Sequence, residues 1–159
     1  MRKLTLVLVL MCFVMGCAGA ATQSSSSGSS VQKAKRLPHN FDAVWDATMA
    51  TVEDVGWPVD VNATNRNAGI IATELFPIGF DEINEYASCP RGMNVQIIKG
   101  RMLVQMAISR MSDYESSVGL AVRLDGWDEG AQKMWRSCES GGKIEKMIIE
   151  GVERRLAIH

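Results

Sequence analysis

Four cysteines, two histidines and one tight group of carboxylates are the side chains of this 159-residue chain best suited to chemistry. His39 precedes the first helical pattern and His159 ends the chain, and neither belongs to a spacing that builds a metal site or a nucleophile–base pair. Asp125-Gly126-Trp127-Asp128-Glu129-Gly130 gathers acids but lacks the alternating oxygen ligands of a calcium loop, so an exposed acidic loop is expected there. Trp127 reads as a cover for a sheet edge, with a surface anchor for a partner as the alternative. The sequence has no glycine-rich phosphate cradle and no serine nucleophile elbow. The expectation is therefore a non-enzyme, with no catalytic residue, no metal site and no cofactor. What Cys12, Cys17, Cys89 and Cys138 do depends on where the chain resides.

The chain carries 17 Lys+Arg against 18 Asp+Glu and is 47% hydrophobic. Such totals exclude two full domains and a disordered chain, and they argue against nucleic-acid binding, which needs a basic excess. The apolar residues are unevenly placed. Arg2 and Lys3 precede the run Leu4 to Met15, which only Thr5 interrupts. That run is shorter than the roughly 18 apolar residues of a membrane span. A charged start, a short apolar middle and a small-residue end make a secretory signal.

The end of the run, Val14-Met15-Gly16-Cys17, resembles the lipobox of bacterial lipoproteins, although Met15 stands where a small residue is usual. The resemblance implies a signal peptide over residues 1–16 and diacylglyceryl attachment to Cys17, with acylation of the new amine. Two or three acyl chains would hold the protein stably, where one gives only marginal binding. Ala18 occupies the position where an Asp would retain such a protein in the inner membrane, so the resemblance points to the outer membrane, facing the periplasm. Ala18-Gly19-Ala20 is a competing site for ordinary signal peptidase, and cleavage after Ala20 would release a soluble periplasmic protein. On the lipoprotein reading Cys12 leaves with the signal and Cys17 is acylated. Cys89 and Cys138 then remain in an oxidising compartment, where a disulfide is expected and free thiols are the alternative.

Residues 17–36 read as the lipidated cysteine and a flexible, serine-rich tether, and residues 37–159 as a single domain. Asn40 is a suitable N-cap for an amphipathic helix carrying Phe41, Val44, Trp45, Thr48, Val52 and Val55, with Gly56 and Pro58 as its stop. Strands are expected over 57–62 and 70–76 as a hairpin, with a loop or short helical turn over 77–90. A short strand over 94–98 with Lys99-Gly100 as a reversal should follow. Two clear strands then alternate along Met102 to Ile108 and Val118 to Leu124. Residues 125–139 read as a long connection, and Ile144, Ile148, Val152 and Leu156 as a closing helix whose Gly151 packs closely on the sheet. The expected fold is α+β: an antiparallel sheet of about four to five strands with an N-terminal and a C-terminal helix on one face.

Phe41, Val44, Trp45, Ala47, Gly56, Val59, Gly69-Ile70-Ile71, Thr73, Trp135 and Gly142-Lys143-Ile144-Glu145 together resemble the helix-grip type of BamC-like domain and small lipoproteins of similar pattern. The chain departs from that family in having one domain rather than two and a shorter N-terminal segment. The resemblance implies a helix-grip fold and the outer-membrane compartment. The expected function is that of a lipid-anchored accessory protein that binds another envelope protein, the alternative being a periplasmic module holding a small or lipidic ligand between sheet and helices. Large side chains filling that space, Trp45, Met102 and Met106 among them, favour the adapter; an open apolar cavity favours the ligand.

Overall fold

A computed structural model describes residues 30–31 and 34–157. The leader, Cys12, Cys17, the alternative cleavage site at Ala20, most of the tether and His159 lie outside the described residues. The described part is α+β, with every strand pair antiparallel. In chain order it runs β1 (Ser30–Val31), β2 (Lys35–Leu37), α1 (Phe41–Val55), β3 (Ile70–Ala72), β4 (Phe76–Ile78), α2 (Phe80–Tyr86), β5 (Ala87–Ser88), β6 (Ile97–Arg110), β7 (Ser116–Asp128), β8 (Met134–Ser140) and α3 (Lys143–Leu156).

The long pair β6–β7 is the frame. Its central register sets Met102 opposite Leu124, Val104 opposite Val122, Met106 opposite Leu120 and Ile108 opposite Val118, so one face is continuously apolar. β3 and β4 follow one another along the free edge of β6. β2, β1 and β8 share the free edge of β7, and β5 lies outside β8. Three helices and eight strand segments thus exceed the two helices and four to five strands expected. The excess comes from short pieces laid end to end along two edges and from α2.

α1 forms where its N-cap predicts: the Asn40 side chain accepts from the Ala43 N–H, and Gly56 ends the helix in the left-handed conformation at φ 77°. α1 and α3 pack on each other and over the apolar face, burying Val44, Trp45, Val52, Ile144, Ile148 and Val152. Gly151 is a correction, because the close approach it permits is to α1 and not to the sheet. A Cβ there would stand 2.5 Å from the Thr51 Cγ2.

Four further expectations change. Residues 57–62 make only a bridge from Val59 to Thr73, because the Asp60 carboxylate accepts from the N–H groups of Asn62 and Ala63 and starts the turn early. Gly100 is no reversal but part of β6, where a Cβ would meet Ile78 and Ile83 at 2.9–3.0 Å. The connection over 125–139 is largely strand, as β7 continues to Asp128 and β8 begins at Met134. Lys35 and Arg36, assigned to the tether from composition, pair with Val118 and Ser117.

Candidate functional site

The interior leaves little to a ligand. Trp45 is 5% exposed, Met102 1% and Met106 0%, and all three belong to one continuous core beneath the helices. On the surface two regions stand out.

The first is a cleft between α2 and the segment leading into β6, lined by Phe80, Asn84, Cys89, Arg91, Val95 and Ile97. Phe80 is half exposed and Met93, in the same segment, fully so. The cleft wall is bolted down: Cys89 and Cys138 form a disulfide with an S–S distance of 2.02 Å. Both sulfurs lie 3.2 Å from the position a Cβ would take at Gly126, so the bolt crosses β7 where its backbone is bare.

The second region is the sheet face that carries no helix. Alternation along β6, β7 and β8 brings Lys99, Trp127 and Trp135 into one row, with Arg101, Asp125 and Ser137 in the next. The two indoles meet edge to face, ring centroids 5.4 Å apart. The Arg101 guanidinium lies 4.4 Å from the Trp135 centroid and the Lys99 ammonium 5.7 Å from that of Trp127, each within cation–π range. Arg101 and Arg123 both donate to the same oxygen of Asp125, at 2.9 and 3.0 Å, so two cations share one carboxylate. The Trp127 indole N–H donates to Glu129 at 2.7 Å and, with help from Lys133, holds that carboxyl below its usual range.

The expected exposed acidic loop is therefore corrected: Asp125 is 4% and Asp128 0% exposed, and both are strand residues. Asp128 accepts from the N–H groups of Gln96 and Gly130, each at 2.9 Å, and from Arg136 at 2.6 Å. The Gln96 N–H first, then Arg136, hold its carboxyl below the ordinary carboxylate range. Buried acids are tolerated because each is paired and hydrogen-bonded. Among the described residues no group of three or more His, Cys, Asp and Glu side chains is placed to hold a metal ion. His39 lies half-buried ahead of α1.

Of the site residues expected from sequence, Cys89 and Cys138 come together and Cys17 falls outside the described part. No sequence motif groups Lys99, Arg101, Arg123 and Trp135, which strand register brings together. Continuing the alternation of β7 past Leu124 places Arg123, Asp125 and Trp127 on one face, and that signal was present in the sequence. Compared with known proteins, the chain matches no protein-family model and no curated protein resembles it closely enough to count as a relative.

Proposed function

We propose that the protein is a non-enzymatic, lipid-anchored envelope protein held in the outer membrane through an acylated Cys17, whose α+β domain is BamC-like and serves as an adapter for another envelope protein. The observation that carries this reading is the filled interior. Trp45, Met102 and Met106 occupy the space between helices and sheet that a small or lipidic ligand would need. The cleft beside α2 then supplies the partner's landing surface. Its apolar rim at Phe80 and its disulfide-fixed wall limit the ordering cost of binding.

A photo-crosslinking side chain placed at Phe80, and separately at Met93, tests this in intact cells. Capture of one envelope protein from both positions, absent from a site on the outer face of α1 such as Glu53, is the expected result. Failure to trap any specific protein at either position would overturn the adapter reading. Cys17→Ser tests the anchor, which fails if the wild type incorporates no acyl label.

A further inference from the structure

We propose that the helix-free end of the sheet, around Lys99, Arg101, Arg123, Trp127 and Trp135, docks on an anionic lipid surface. The inference rests on the anchoring reading above for its geometry, and on charge and side-chain chemistry for its specificity.

Charge comes first. Residues 34–157 carry fourteen Lys and Arg against eighteen Asp and Glu, so the domain as a whole is acidic. The patch reverses the sign by a single charge: Lys99, Arg101, Arg123 and Lys133 share this face with Asp125, Glu129 and, at the next outward position of β8, Glu139. Arg123 is half exposed in its side chain and Lys133 is 69% exposed, so both reach solvent. A net positive sheet face on an otherwise acidic domain fits an extended anionic partner.

The tryptophans fit the same partner. Trp127 and Trp135 are half-buried, with apolar rings stacked beneath cations and one indole N–H satisfied by Glu129. Tryptophan is favoured at membrane interfaces because one end of the ring is apolar and the other wet.

Position along the chain supplies the third argument. β1 pairs Ser30 with Val122, beside Arg123, and runs antiparallel to β7, so its N-terminal end points toward the Trp127 end of the sheet. Cys17 lies thirteen residues before Ser30. The serine-rich composition of that stretch predicts a coil, and a coil of that length spans about 20 Å. An acyl anchor at Cys17 would hold the Trp127 end of the sheet, where the patch lies, toward the bilayer.

Residues 17–159 bearing Cys17→Ser keep every element described above and lack the acyl chains. Co-sedimentation of this protein with phosphatidylglycerol-containing vesicles, and with pure phosphatidylcholine vesicles, is the test. Binding only to the former, weakened by added salt, is expected. The pair Lys99→Glu and Arg123→Glu should weaken it about tenfold or more, while Lys146→Glu and Arg154→Glu on α3 leave it unchanged. A circular-dichroism melt checks that both variants fold. Equal binding to both vesicles, binding to neither, or equal loss from the α3 variant would overturn the proposal. Acyl labelling of wild-type Cys17 is read separately: a negative label with vesicle binding retained defeats the anchor and leaves the lipid-binding patch standing.

Discussion

Asp128 shows how a residue that looks exposed in the sequence becomes a structural anchor. Its carboxylate draws together β8 through Arg136, the start of β6 through Gln96 and the following turn through Gly130. A neutral carboxylic acid accepts these bonds less well, so the interaction stabilises the charged form, and the folded group titrates below its ordinary value of 3.8. The sign follows: the contribution is present above that value and is lost as pH falls through the lower folded one. Acid unfolding of the wild type should therefore steepen below pH 3.8, and Asp128→Asn should be less stable at neutral pH yet lose less on acidification. An unchanged acid limb in Asp128→Asn would refute this role. The acids of 125–130 look solvated in the sequence because nothing in their spacing announces a partner. Their cations, Arg101, Arg123 and Arg136, lie on neighbouring positions of three strands and become visible only once the register is known.

At the scale of elements, the helix pair turns on one contact. Ala is a better helix former than Gly by about 1 kcal/mol, yet its Cβ at position 151 would press on Thr51 Cγ2 at 2.5 Å. Overpacking of this kind costs about 1–3 kcal/mol, so Gly151→Ala should lower stability on balance. Thr51→Ser removes that methyl and keeps the hydroxyl that donates to the Ala47 carbonyl. In its presence Gly151→Ala should become neutral or stabilising by urea unfolding, and a penalty that persists would mean the crowding lies elsewhere. The elements that carry a sharp period were legible: α1 from its cap and apolar stripe, α3 from its repeat, and the middles of β6 and β7 from strict alternation. The short edge segments were not. β1, β2, β4 and β5 are two or three residues long and take their shape from the backbone of a neighbour, which no side-chain pattern records. β8 escaped because Trp135 and Arg136, on opposite faces, are both only partly buried, so neither face of the strand is purely apolar.

For the whole molecule the disulfide joins what the sheet leaves loosely held. β6 and β7 pair along nearly their full length, but β5 meets β8 through only Ala87–Ser140 and Ser88–Glu139, and the segment from Cys89 to Gln96 has few backbone bonds of its own. Linking Cys89 to Cys138 closes a separation of 49 residues, which in the chain-entropy model stabilises by about 4 kcal/mol at most. Cys89→Ser with Cys138→Ser should lose more than the crosslink alone contributes, because the variant also leaves hydroxyls where a nearly buried sulfur lay beneath β7. Reduction of the wild type without mutation separates the two costs. The losses should also be uneven in space: amide exchange should accelerate first over 87–96 and the outer half of β8, while β6 and β7 between Met102 and Leu124 keep their protection, since their bonds do not pass through the bolt. Uniform acceleration across the sheet would show that the disulfide supports the whole fold. Acceleration confined to the cleft would make it the device that keeps the partner surface in shape, and reduction should then weaken crosslinking at Phe80 before it unfolds the domain.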